Sequence, residues 1–152
     1  LAGNPNSGKT TLFNTLTGSR QHVGNYPGIT VEKKEGFIEL TDYLLHFVDL
    51  PGTYSLTAYS QEELVARNFL AQEKPDLVVD VINAGALERN LYLAVQIMEL
   101  GIPLVLALNM MDEVRKKGLT INTELLSRRL KVPVVETVAR QGLGKDLLIH
   151  NI

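Results

Sequence analysis

The chain has no cysteine, so it carries no disulfide framework and no thiolate chemistry, which suits a reducing compartment. It has no basic excess either. Fifteen Lys and Arg against 17 Asp and Glu leave a formal net charge of −2, which offers no footing for a nucleic-acid partner. No apolar run approaches the roughly 18 residues that cross a bilayer, and no signal peptide opens the chain. Repeats, low-complexity tracts and linkers are also missing. What remains is 152 residues, 45% hydrophobic and 21% charged, the composition of one soluble globular domain with a core of its own.

Apolar runs alternate with helical patterns, which predicts an α/β domain with a largely parallel sheet. Residues 31–40 and 43–49, separated by Thr41-Asp42, read as a hairpin with one antiparallel strand. Residues 77–82, 103–109 and 132–137 read as later strands. Helices are predicted near 61–72, 87–100 and 123–130, with a last one beginning near Gly142. Ser60 and Glu63 make a capping box for the first of these, and Leu91, Ala94, Val95 and Met98 form the core stripe of the second.

The stretch that organises the chemistry is GNPNSGKT, residues 3–10, which fits G-x-x-x-x-G-K-[ST]. Gly3 and Gly8 let the backbone turn tightly against an anion. The main-chain N–H groups of Asn4, Pro5's neighbours, Asn6, Ser7 and Gly8 then converge on a phosphate, aided by the positive end of the next helix. Lys9 is the point charge for the outer phosphates, Thr10 a hydroxyl for Mg²⁺, and Thr11 continues the lining. Leu12, Phe13 and Leu16 give that helix its buried face, and Gly18 its stop. Only Leu1 and Ala2 precede Gly3, so the first strand is expected to be truncated and the chain to be a fragment.

Residues 19–30, SRQHVGNYPGIT, form a connection long enough to be a switch loop. Gly28, Ile29 and Thr30 are expected to line the nucleotide, with the Thr30 hydroxyl reaching Mg²⁺ and its N–H the γ-phosphate when the loop closes. His22 and Tyr26 read as solvent-facing or lid-packing, and His46 as structural. Asp49-Leu50-Pro51-Gly52 is D-x-x-G at the end of a strand, where open α/β sheets place ligand chemistry. Asp49 is expected on Mg²⁺ through water, and the Gly52 N–H on the γ-phosphate.

Asn109-Met110-Met111-Asp112 is N-x-x-D after a second buried strand, and it selects the base. Guanine presents two adjacent donors that one carboxylate, Asp112, accepts bidentately, whereas adenine presents an acceptor there. Asn109 is expected to bond guanine N7 and to tie this loop to the phosphate loop. Thr137-Val138-Ala139 follows the last strand, and a main-chain N–H, that of Ala139, is expected to bond guanine O6.

These four motifs in this order resemble the Ras-like GTPases across nearly the whole chain. More narrowly, GNPNSGKTTLFN, VGNYPGITVEKKEG, DLPGTYSL, LERNLYL and ALNMMDE resemble the cytosolic G domain of the ferrous iron transport protein B family. The resemblance implies a Ras-like P-loop GTPase fold, a six-stranded sheet in the order 2-3-1-4-5-6 with helices on both faces, in a single G domain over residues 1–152. It also implies GTP and GDP as ligands and a place at the cytoplasmic face of the membrane. The domain's own C-terminal helical and transmembrane domains would be its partners.

Two departures from the Ras pattern matter: Thr53 stands where Ras has its water-orienting glutamine, and Met110 where many GTPases have a base-packing lysine. The family resemblance further implies that Asn6 helps hold K⁺, completed by main-chain carbonyls around Gly24 and Tyr26. Lys9, Asn6, Thr30 and Gly52 thus form the expected catalytic set. The reading is a slow, Mg²⁺-dependent, potassium-stimulated GTPase coupled to ferrous iron transport. The alternatives are a guanine-nucleotide sensor that gates a channel or partner and, third, an RNA-associated GTPase, which the acidic balance disfavours.

Overall fold

Two strands that are apolar on both faces, VVDVIN and LVLALN, sit at the centre of the computed structural model, which describes residues 1–18 and 20–152. In chain order the elements are β1 (Ala2–Gly3), α1 (Lys9–Thr17), β2 (Gln21–Asn25), β3 (Glu32–Glu39), β4 (Leu44–Asp49), α2 (Gln61–Gln72), β5 (Val78–Asn83), α3 (Leu87–Glu99), β6 (Leu104–Asn109), α4 (Met111–Lys116), α5 (Thr123–Leu130), β7 (Val134–Glu136) and α6 (Lys145–His150). Alternate residues of the central strands feed two cores. Val78, Ile82, Leu104, Leu106 and Leu108 pack with Leu70, Leu93, Ala94 and Ile97 from α2 and α3. Val79, Val81, Val105 and Ala107 pack with Leu12, Phe13, Leu16 and Leu148 from α1 and α6. This is the three-layer consequence of a parallel sheet buried on both faces.

The parallel sheet runs β1-β5-β6-β7 and the antiparallel one β2-β3-β4. Leu1 joins them: its amino group donates to the Val48 carbonyl at 2.6 Å, and the Leu50 N–H donates to the Leu1 carbonyl at 2.9 Å. Bonds from one residue to the two flanking a neighbour are the parallel pattern, so β4 runs parallel to β1 and β3 is the one reversed strand. The α/β fold with helices on both faces is as the sequence predicts. The strand count is not six but seven, because β2 forms within the segment expected to be a loop.

Residues 21–25 pair in register with β3, from Gln21 opposite Gly36 to Asn25 opposite Glu32. QHVGN has one β-branched residue and no alternation, so its strand state comes from the template β3 offers, not from its own propensity. Ser19, the first residue of the expected loop, lies outside the described residues. The remaining turn is built on Pro27-Gly28. Gly28 has φ 76°, the Ile29 N–H donates to the Tyr26 carbonyl, and the Tyr26 N–H to that of Val31. Pro followed by a positive-φ glycine suits a type II turn.

The 61–72 and 123–130 helices appear at the predicted bounds. The Glu63 N–H donates to Ser60 Oγ at 3.1 Å, but the Glu63 carboxylate goes to the Tyr59 N–H, so only half of the capping box closes on Ser60. On α3 the buried face is Asn90, Leu93, Ala94 and Ile97, and Val95 of the predicted stripe is exposed. The last strand shortens to Val134–Glu136, and α6 starts at Lys145, after Gly142 and Gly144 with positive φ. His46 stacks on Phe37 with ring centroids 4.6 Å apart, a structural role as read from the sequence.

One core residue opposes this packing. Asp80, opposite Ala2 in register, is 1% exposed, and neither carboxylate oxygen has a hydrogen-bond partner among the described residues. Burial pushes its carboxyl up to about 7. A raised carboxyl pKa means the folded state binds more protons than the unfolded between about 4 and about 7, so stability from this group falls as pH rises through that window. Asp80→Asn isolates this effect. Urea unfolding of variant and parent at pH 5 and pH 8 is expected to show a stabilisation that grows with pH, with a ceiling on the order of 4 kcal/mol.

Candidate functional site

The site lies at the C-terminal ends of β1, β4, β6 and β7, where the loops that follow each strand converge. At the head of α1, Gly8 takes φ 82° and a Cβ there would collide with the Asn109 side chain, so this position is closed to any other residue. Lys9 is buried and its ammonium contacts the Asp49 carboxylate. Thr10 Oγ1 lies 3.4 Å from the other Asp49 oxygen. Lysine, hydroxyl and carboxylate therefore meet at one point beside the N-terminus of α1. Within the loop, the Asn4 Nδ2 and Ser7 Oγ atoms are buried and have no partner among the described residues, two donors at the place where an anion is expected. Pro5 is half-buried and Asn6, at φ 63°, is exposed, as are Thr10 and Thr11.

Gly52 borders the same loop: a Cβ on it would stand 3.3 Å from the Pro5 Cα. Leu50 is buried and Pro51 half-buried between them. Thr53 is 4% exposed, its N–H donates to the Gly3 carbonyl at 3.2 Å and its hydroxyl to the Ser55 carbonyl at 2.7 Å. The N–H is committed to Gly3 of β1 and the hydroxyl hydrogen to its own loop, so neither donor is free to orient a water. The next side chain, Tyr54, lies under the Arg89 guanidinium of α3, 4.2 Å from the ring centroid.

Asn109 is the tie between the two halves of the site. It is 3% exposed, its Nδ2 donates to the Ser7 carbonyl at 2.9 Å, and its Oδ1 accepts from the Ala139 N–H at 2.9 Å and the Thr137 hydroxyl at 3.3 Å. Met110 takes φ 63° and caps α4, and its Cε lies 3.4 Å from where a Gly8 Cβ would be. Val138 is buried under the loop. The expectation that Asn109 bridges to the phosphate loop is met. The Ala139 N–H, expected to serve guanine O6, is committed to Asn109 in this structure. Asp112 contacts Arg140, with Lys116 at 4.0 Å. Desolvation works against ionisation there, but Arg140 and then Lys116 outweigh it and hold the Asp112 carboxyl below the usual carboxylate range.

The structure does not bring Thr30, Ile29, Gly28, Gly24 or Tyr26 onto the phosphate loop. Thr30 and Gly28 are exposed in the β2–β3 turn, Ile29 is half-buried, and Gly24 stands opposite Lys33 in the ladder. Gly24 is thus a strand residue where a loop carbonyl was expected. Tyr26 is nearest in effect: burial first, then the Asp49 and Glu35 carboxylates, push its phenol up to about 12. Sequence reasoning missed Arg140, which carries no motif signal, and the organising role of Glu63. That carboxylate accepts from Ser55, Thr57 and the Tyr59 N–H, fixing the loop after D-x-x-G. The Ser55 hydroxyl first, and then the Tyr59 N–H, hold it below its usual range. Only the capping-box spacing could have flagged it.

Against known proteins, the model of the family described as ferrous iron transport protein B matches residues 1–152. The chain belongs to that family. It is 54% identical over 153 residues to an Fe(2+) transport protein A/Fe(2+) transporter FeoB fusion protein of Porphyromonas gingivalis, covering 100% of this chain and 18% of that protein. Among solved structures, the cytosolic domain of the T. maritima FeoB iron transporter in apo form superposes with a TM-score of 0.96 at 44% identity, covering 99% of this chain and 60% of that one. A mutant of S. thermophilus NFeoB bound to GDP gives 0.93 at 48% identity, covering 99% and 59%. The chain spans about a fifth of the length of the curated relatives it matches. No helix among the described residues is long and apolar enough to cross a membrane.

Asn109→Ala removes one side chain and leaves the Ser7 carbonyl and the Ala139 N–H, both buried, without their partner. A loss of roughly 2 kcal/mol or more in urea unfolding is the expected outcome, against well under 1 kcal/mol for the exposed Asn14→Ala.

Proposed function

We propose that the chain binds GTP and hydrolyses it slowly to GDP and phosphate, and that in the longer family members this cycle is coupled to ferrous iron transport from the cytoplasmic face of the membrane. The observation that supports the reading is the Asn109 side chain, which ties the N-x-x-D loop to the G-x-x-x-x-G-K-T loop at 2.9 Å, as a joint base and phosphate site requires. The GDP-bound S. thermophilus relative, alike in fold at 48% identity, supports the choice of nucleotide.

In this mechanism the chain's work is positioning and charge. The N–H groups at the head of α1 and the unpartnered donors of Asn4 and Ser7 hold the phosphates. Lys9 exchanges its contact with Asp49 for phosphate oxygens and stabilises charge as it moves toward the leaving group. Gly52 presents its amide toward the outermost phosphate. Thr10 and Asp49 are hard oxygen donors that fit Mg²⁺, and with a triphosphate bound that ion would supply charge neutralisation at the phosphates. Thr30 joins them only by movement of the 26–31 turn. Met110 packs at the base, and Asp112 accepts its two donors.

Slowness follows from Thr53, whose hydroxyl and N–H are both bonded within the protein. Potassium stimulation is proposed through the exposed Asn6 amide. Gly24 and Tyr26 carbonyls add to it only if β2 releases from β3, since Gly24 is paired with Lys33. The second reading, a nucleotide sensor in which occupancy is the signal, draws on the same Thr53 geometry. In the family context the partners are the protein's own further domains.

Phosphate release from GTP, with ATP as control, in potassium and then sodium at equal ionic strength separates these readings. The expected result is slow, GTP-selective turnover that rises in potassium, falls at least about a hundredfold in Lys9→Ala and loses its potassium response in Asn6→Ala. Tight GTP binding without turnover in either salt would leave the sensor, and equal use of ATP would overturn the base assignment.

A further inference from the structure

Two of the groups read as guanine partners are already bonded inside the protein. The Asp112 carboxylate accepts from the Arg140 guanidinium, and the Ala139 N–H donates to Asn109 Oδ1 at 2.9 Å. Ala139 and Arg140 are adjacent in one short 3-10 turn, Ala139–Gln141, anchored by the buried Ala139. One segment thus carries both the amide bonded to Asn109 and the cation that contacts the Asp112 carboxylate. A guanidinium offers a planar pair of N–H donors, the same shape that guanine offers through N1 and its 2-amino group, but with a full positive charge. In this structure one guanidinium nitrogen contacts one oxygen of the carboxylate that the base would need. The nearby Lys116, 4.0 Å from the same Asp112 oxygen, adds charge but has no second donor in the plane.

We infer that Arg140 is an affinity-determining residue of the base site: it competes with guanine for Asp112 and so shortens the residence of the bound nucleotide. This rests on the guanine reading given above. Entry of the base requires the Arg140 side chain, 56% exposed, to swing into solvent, and its return displaces the base from Asp112. The pair is solvent-accessible and screened, so the effect is modest, about fivefold in affinity. It acts on GTP and GDP alike, since it concerns the base alone.

The test is fluorescent-GDP binding and release by the parent, Arg140→Leu and Arg140→Gln, each at about 50 mM and about 500 mM NaCl, with ADP as competitor. At low salt both variants are expected to bind GDP about fivefold tighter and release it more slowly than the parent. High salt, which screens the ion pair, is expected to shrink that ratio toward one, a response that a purely structural Arg140 would not give. Weaker or unchanged binding in the variants overturns the inference, because Arg140 would then support the base or ignore it. Tightening in Arg140→Leu alone also overturns it, by assigning the effect to apolar contact. Displacement of GDP by ADP as readily as by GDP in the parent sinks the guanine reading instead.

Discussion

The Asn109 amide is the contact on which the arrangement of the site depends. Three segments far apart in sequence, the phosphate loop at Ser7, the end of β6 and the loop after β7 at Thr137–Ala139, share this one buried side chain. Its donor and acceptor ends point to opposite partners, so neither loop can shift without leaving a polar group unpaired in the interior. Gly8 completes the constraint from the other side, because only a residue without Cβ leaves room for that amide. The spacing between the N-x-x-D loop and the loop before α1 is thus a property of packing.

Around this tie the sheet acts as a rigid mount. β5 and β6 are buried on both faces, and their alternate side chains fill the cores beneath α2 and α3 and beneath α1 and α6. Parallel strands deliver Asp49, Asn109 and Thr137 to the same edge, which is why chemistry collects there. Asp80 is the exception within the mount, a buried carboxyl with no hydrogen bond among the described residues. Its cost is a dependence of stability on pH that an apolar residue would not bring.

Two segments lie outside the mount. Residues 21–31 are tied to β3 by a ladder and a Pro-Gly turn, and every side chain from His22 to Asn25 is exposed. The loop after Asp49 is held differently, by a cluster of hydroxyls and amides on Glu63 and by Tyr54 under Arg89. These contacts lie near the surface and are individually small.

The sequence by itself determined the fold class, the helices at 61–72 and 123–130, and the motifs that meet at the candidate site. These features are written locally, in glycine spacing, caps, and apolar runs too continuous for anything but buried strands. Tertiary structure alone decided the rest. β2 exists because β3 is beside it, and Gly24 became a strand residue for that reason. Val95 is exposed because α3 meets the sheet through Leu93, Ala94 and Ile97, a rotation that periodicity leaves open by one position. The Ala139 amide and Asp112 took partners within the protein, Asn109 and Arg140, that stand 30 and 28 residues away in the chain. A motif names the groups able to bind a ligand. Which of them are already bonded to one another is set only when distant segments meet.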